Sequence, residues 1–466
     1  MYGRSFLGCR RSAGGGLRLL WLLIFLIPLA DVQATPDIQH WTTENGARVY
    51  FVQAPELPMV DVRVVFDAGS ARDAGKAGLA QLTSAVLPDG AGDLSADEIA
   101  ERFENVGARF GASAGRDMAT VSLRSLTDPK LLQPALETFA LILTRPAFAP
   151  ADFERNRNQM LVAVRHGQQS PGYLAEKAFF AGLYGDHPYG SPPGGTEETL
   201  QAITREDVLN FYKRYYVARN AVVAIVGDLD RRAAERLVQT VVGGLPKGEA
   251  PPPLPEVEDL AEAREVEVPH PSAQSHVRIG QIGMARHDPQ YFALYVGNHI
   301  LGGSGLVSRL NDEIRERRGL SYSVYSYFYP MQRKGPFLMG LQTSTEQAEE
   351  AVRLLQAQLE RFVTQGPTPE ELAAAKKNIT GGFALRIDSN GKIVDYLSVI
   401  GFYGLPLDYL DRFVERIEAV TLEDVRAAFK RHLEPERNLT VIVGRGAVQA
   451  REAGGGAGVG TSSVSQ

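Results

Sequence analysis

Over residues 38–248 the chain alternates between two hydrophobic periods. Residues 60–66 and 118–126 repeat apolar and polar positions every second residue, the pattern of strands with one buried face. Residues 78–87 instead place Leu79, Leu82 and Val86 on one side of a 3.6-residue period, which predicts an amphipathic helix. Residues 40–42 and 48–53 read as two short strands joined at the Glu44-Asn45-Gly46 turn. Ser95, followed three residues later by Glu98, is a capping box that opens a helix through Glu104. Further helices are predicted over residues 134–143 and from Phe148 toward Arg165.

The pattern then repeats. Ala202-Ile-Thr-Arg-Glu-Asp-Val recurs as Ala419-Val-Thr-Leu-Glu-Asp-Val, and each run closes in an apolar strand and a glycine, at 222–227 and 439–444. A repeat at both places makes the chain two copies of one fold of about 210 residues. The alternating periods predict the α+β class: two homologous sandwich domains, each a mainly antiparallel sheet with helices on one face. The expected boundaries are 35–248 and 263–446, with a stiff proline-rich joint over 249–262 around Pro251-Pro-Pro253. Residues 447–466 are rich in glycine and serine and are expected to be a disordered tail.

Residues 1–34 stand outside that fold. Arg4, Arg10, Arg11 and Arg18 precede an apolar run over 19–30, and Val32-Gln33-Ala34 suits signal cleavage after Ala34. The run is short of the roughly 20 residues a membrane span needs, so an exported, periplasmic protein with no stable span is expected. The sequence leaves open whether the segment is cleaved or kept as an anchor. Removing it takes four arginines and one aspartate, so the formal net charge moves from −6 to −9. With no basic block, the chain carries no electrostatic footprint for nucleic acid. The single cysteine, Cys9, lies in the same segment, so the mature chain has neither a disulfide nor a thiol ligand. Of the eight histidines none pair at helical spacing; His270 and His276 come closest and have no cysteine or placed carboxylate beside them.

On a second face of the 78–87 helix, Gln81, Ser84 and Ala85 cluster at i, i+3 and i+4. Residues 62–66, then Asp67-Ala-Gly-Ser-Ala-Arg-Asp73 and Gly78-Leu-Ala-Gln81, resemble the opening of the pitrilysin/insulinase-like peptidases, the inverted zincins. There an apolar strand leads through Gly-Ser and an acidic loop into Gly-x-Ala-His-x-x-Glu-His. The resemblance implies that Gln81 and Ala85 occupy the two histidine positions and Ser84 that of the general base. The third ligand, a glutamate, falls on Ala163 in the run 154–163. An amide, a hydroxyl and two methyl groups neither bind zinc nor act as a base near neutral pH. His187, in Asp186-His-Pro-Tyr-Gly190, resembles the family's His-Pro-Tyr turn and is expected to be structural.

The second half keeps more of the pattern. Residues 298–310, with Leu301-Gly-Gly303 and Ser308-Arg-Leu310, lack the lysine and glycine spacing of a phosphate loop. They resemble the family segment in which glycines break one helix before the next. In family enzymes an arginine and a tyrosine seven residues apart follow directly and hold the substrate backbone; the matching residues are Arg315 and Tyr322, with Arg317 and Arg318 close by. Read without that context, Arg315 is a solvated helix charge and Tyr322 a strand residue against the core. The resemblance thus implies a zinc-free, non-catalytic subunit of a periplasmic heterodimeric metallopeptidase, shaped as half of a clamshell. It would bind no cofactor itself. Zinc is expected in a homologous partner subunit, and peptide substrate as an added strand along the edge near residues 109–114. The alternative is a peptidase-derived binding or scaffold protein with no proteolytic role.

Overall fold

The computed structural model describes residues 35–444 of the 466-residue chain. The expected export segment and the glycine-rich tail lie outside the described residues. In the first half β1 (Gln39–Thr42) and β2 (Arg48–Gln53) form the hairpin, followed by β3 (Met59–Phe66) and α1 (Leu79–Val86). The two-residue strands β4 (Gly90–Ala91) and β5 (Leu94–Ser95) precede α2 (Ala96–Asn105), which opens on the Ser95/Glu98 capping box. Then come β6 (Arg109–Ala114), β7 (Ala119–Leu126), α3 (Pro129–Thr144), α4 (Pro150–Gly167) and α5 (Pro171–Tyr184). This half continues through α6 (Glu197–Ala202), α7 (Arg205–Tyr215), β8 (Ala221–Gly227) and α8 (Arg231–Val242). Its strands lie in the order β1-β2-β8-β3-β7-β6, antiparallel except for the β2–β8 pair.

The second half runs β9 (Arg264–Val268), β10 (Gln274–Ile282), α9 (Tyr291–Asn298), β11 (Val324–Phe328) and β12 (Pro336–Ser344). It closes with α10 (Ala348–Gln365), α11 (Pro369–Gly381), α12 (Asn390–Tyr403), α13 (Phe413–Ala419), α14 (Leu422–His432) and β13 (Leu439–Val443). The order β11-β12-β10-β13-β9 reproduces that of the first sheet, with its one parallel pair, β13–β9, in the same place. The repeated segments keep their caps as well: Thr204 with Asp207 opens α7, and Thr421 with Asp424 opens α14. One boundary differs from the sequence reading. The helix expected over 134–143 starts at Pro129, because Asp128 caps it and Pro129 fills its first position. Pro134 sits inside it; burial of Leu132, Leu136, Phe139 and Ile142 against the sheet outweighs the ladder bond it removes.

Strand alternation sorts β8 into two cores. Ala221, Val223 and Ile225 pack with Val60, Val62 and Val64 of β3 and with α3 and α8. Val222, Ala224 and Val226 face the other way, into a core shared with Leu397 and Ile400 of α12. The second face of the first sheet is therefore covered by a helix of the second half. The converse also holds: Ala175 and Phe179 of α5 pack on Leu439, Val441 and Val443 of β13. Both helices approach through a glycine. A methyl on Gly401 would stand 2.4 Å from Val222, and one on Gly182 2.9 Å from Leu439. The exchanged helices share a pattern that the sequence reading did not pick up, Ser-x-Gly at 170–172 and 389–391 ending in Gly-x-Tyr-Gly at 182–185 and 401–404.

A buried carboxylate fastens the exchange. Asp117 accepts hydrogen bonds from Tyr189 Oη at 2.6 Å, Tyr403 Oη at 3.0 Å and the Gln332 backbone N–H at 2.8 Å, so three distant segments meet on one group. Burial raises its pKa, and those three donors oppose the rise. The proline-rich joint is a tethered strap rather than a free spacer. The carbonyls of Pro252, Leu254 and Pro255 bond to Arg72, Arg333 and His187, while Leu254, Val257 and Leu260 are buried. Asp117→Ala leaves two phenols and an amide without their acceptor and should cost about 3 kcal/mol or more of stability in urea unfolding. A loss below about 1 kcal/mol would mean that the node does not hold the halves together.

Candidate functional site

Helix α1 is set by a buried acid. The Asp73 carboxylate accepts the backbone N–H groups of Gly78 and Ala80, each at 2.8 Å, and so satisfies donors left over at the start of the helix. Burial pushes its pKa up to about 8, against the lowering effect of the N–H groups of Ala80, Gly78 and Leu79. Gly78 joins loop to helix at φ +97, a left-handed conformation, and a methyl on it would stand 2.9 Å from Leu200.

On the face where the resemblance puts a metal, Gln81 is half-buried and its Nε2 donates to the Ala114 carbonyl on β6 at 3.3 Å. Ser84 is 3% exposed, and its Oγ lies 3.1 Å from the Tyr216 hydroxyl. Burial pushes that phenol up to about 12, so it stays neutral. Ala85 offers a methyl group, and Ala163 is an exposed residue of α4, the helix packed beside α1. Amide, hydroxyl and methyl groups do not fit zinc, and the hydroxyl is already engaged. Among the described residues no group of three or more His, Cys, Asp or Glu is placed to hold a metal ion. His270 bonds to the Gln169 carbonyl, and His187 accepts the Tyr189 N–H while its other nitrogen meets the strap at Pro255.

The Arg/Tyr positions do come together. Arg315 lies on a π-helical turn, Asn311–Glu316, and its guanidinium carbon sits 4.5 Å from the centre of the Tyr322 ring. Tyr322 is 84% exposed in the loop before β11, not packed on the core. The neighbouring arginines are committed elsewhere: Arg317 to Asp312 at 2.8 Å, and Arg318 to Glu313 at 2.9 Å. Among the described residues Arg315 has only a 3.6 Å approach to Glu316 as an ion pair. Tyr322 also walls a cavity of about 210 Å³ reaching His276 and Arg278 on β10 and Gly172 at the start of α5. Burial, with the neighbouring Arg278 and His270, lowers the His276 pKa.

The repeat gives this cavity a counterpart in the first half. Arg278 on β10 stands opposite Val441, and Arg63 on β3 opposite Ala224, the related position of the repeat. Each arginine is paired with an acid of the exchanged helix, Arg278 with Glu176 of α5 and Arg63 with Asp395 of α12. A cavity of about 360 Å³ lies beside Arg63, bounded by β3, β6, β7 and the first turn of α12.

Comparison with known proteins agrees with this architecture. Residues 48–197 match the model of insulinase, peptidase family M16, and residues 202–379 match that of the peptidase M16 inactive domain. The crystal structure of a peptidase M16 inactive domain from Pseudomonas fluorescens is 40% identical and superposes with a TM-score of 0.84, over 87% of this chain and 97% of that one. The chain belongs to peptidase family M16. It is also similar to an uncharacterized zinc protease of Streptomyces coelicolor, 27% identical over 87% of this chain and 89% of that protein. The non-peptidase homolog YmxG of Helicobacter pylori is 26% identical over 81% of this chain and 87% of its own length. Among the described residues no helix is long and apolar enough to cross a membrane.

The Asp73 proton makes a testable contribution. Its pKa is higher in the folded chain than the ordinary 3.8, so its stabilisation is complete below that value and is lost as pH rises through about 8. Asp73→Asn should flatten the fall of the urea midpoint across this range; an unchanged slope would assign the pH dependence to other groups.

Proposed function

We propose that this chain is a zinc-free, non-catalytic subunit of a periplasmic heterodimeric metallopeptidase, lending Arg315 and Tyr322 to a zinc-bearing homologous subunit. The observation that carries the reading is the contrast within one molecule. The metal helix offers an amide, an engaged hydroxyl and methyl groups, while Arg315 lies across the ring of an outward-facing Tyr322. A guanidinium and a phenol both donate hydrogen bonds to a peptide carbonyl, and to the negative charge that develops on it when the amide is attacked. Stacking on the ring orients the guanidinium before a peptide arrives. The peptide lies extended along the free edge of β6, the last strand of the first sheet. Export rests on the arginine-flanked apolar run and the Ala34 cleavage site. The family's inactive domains and non-peptidase homologues support a member without its own metal chemistry.

The test uses the purified chain with and without its partner. Alone it should hold no stoichiometric zinc by elemental analysis and cleave no peptide. In the assembled pair, Arg315→Ala and Tyr322→Phe should each lower turnover by about 10²-fold, the scale of losing an oxyanion donor, while Gln81→Ala changes nothing. Tightly held zinc in the lone chain, or activity lost with Gln81→Ala, would refute the proposal. Activity indifferent to Arg315 and Tyr322 would make the chain a binding or scaffold protein.

A further inference from the structure

The cavity beside Arg63 is basic. Four cations, Arg63, Arg109, Arg124 and Lys392, line it against two carboxylates, Asp61 and Asp395. Both carboxylates are already committed. Asp61 takes Arg124 through two bonds of 2.8 and 3.1 Å, and Asp395 takes Arg63. Lys392 turns to Asp388 at 3.0 Å and to the Leu385 carbonyl at 2.7 Å. Arg109 is exposed and has no ion-pair partner among the described residues, and the buried Nε of Arg63 finds no acceptor there.

Strand register makes this imbalance specific. Arg109 on β6 stands directly opposite Arg124 on β7, which stands directly opposite Asp61 on β3. Two like charges facing each other across a strand pair repel, and the one carboxylate in the row serves Arg124. Phe110 turns to the opposite face, stacking on Phe103 at 5.4 Å, so Arg109, Gly111 and Ser113 share the cavity side. Gly111 leaves space beside Arg109, since a methyl there would meet only the Ser122 hydroxyl, at 3.0 Å. The first turn of α12 closes the cavity through Gly391, where a methyl would lie 2.9 Å from the Arg124 guanidinium.

We infer that the cavity at Arg109 is a subsite for an acidic side chain of the bound peptide, so that the peptides this subunit grips carry Glu or Asp beside β6. The inference rests on the reading of β6 as the peptide-binding edge. A strand added to that edge points every second side chain to the face of Arg109. A glutamate there places its carboxylate against the uncompensated guanidinium and relieves the repulsion across the β6–β7 pair.

Fluorescence anisotropy on the whole chain tests it with three labelled extended peptides that differ only in carrying Glu, Gln or Lys at alternate positions. The Glu peptide should bind about tenfold tighter than the Gln peptide, corresponding to one charge contact of about 1.4 kcal/mol, and the preference should weaken with salt. Arg109→Glu, an exposed change, should reverse the order in favour of the Lys peptide. Equal binding of all three, or an order unchanged by Arg109→Glu, overturns the acidic subsite and leaves the peptide-gripping reading in place. If none of the three binds, both fall together.

Discussion

Each sheet in this protein has two apolar faces, and its own half covers only one. Val222, Ala224 and Val226 on one sheet and Val441 and Val443 on the other are buried because α12 and α5 cross over to reach them. The exchange is reciprocal, so neither sheet can lose its borrowed helix without exposing a row of valines. At about 25 cal/mol per Å² of apolar surface, that burial makes the two halves one cooperative structure. The close approach depends on Gly182 and Gly401, where a larger residue would run into the strand beneath.

Polar contacts give the exchange its register. Asp117 receives a phenol from the loop after α5 and another from the end of α12, so one carboxylate measures the position of both halves. The ion pairs Arg63–Asp395 and Arg278–Glu176 repeat one contact at related places. A cavity remains at the open end of each borrowed helix, where it stops short of the outer strands of the sheet it covers. The architecture that buries the valines therefore also creates two related recesses, one walled by Tyr322 and the other by Arg109.

What those recesses can do follows from the side chains that line them. Helix α1 has a cap, a glycine and a buried face, all of which the fold needs. The face where the resemblance puts a metal carries Gln81, Ser84 and Ala85, with Ala163 on α4. Ser84 is engaged in a hydrogen bond with Tyr216. The Arg315–Tyr322 stack, by contrast, leaves Tyr322 exposed to solvent.

Much of this was written in local patterns. The strand and helix periods, the capping boxes at Ser95, Thr204 and Thr421, the repeat at 202–227 and 419–444 and the side chains at Gln81, Ser84 and Ala85 are all properties of short segments. The sequence by itself therefore determined the fold class and the duplication. A second repeat, Ser170-x-Gly172 against Ser389-x-Gly391, could have exposed the exchanged helices, but periodicity says that a face is buried and not what buries it. Only the tertiary structure decided that α5 and α12 trade sheets, that Arg315 rather than Arg317 or Arg318 lies on Tyr322, and that Arg109 faces Arg124. Those outcomes depend on strand register and on competition among neighbouring charges, both of which are set by residues far apart along the chain.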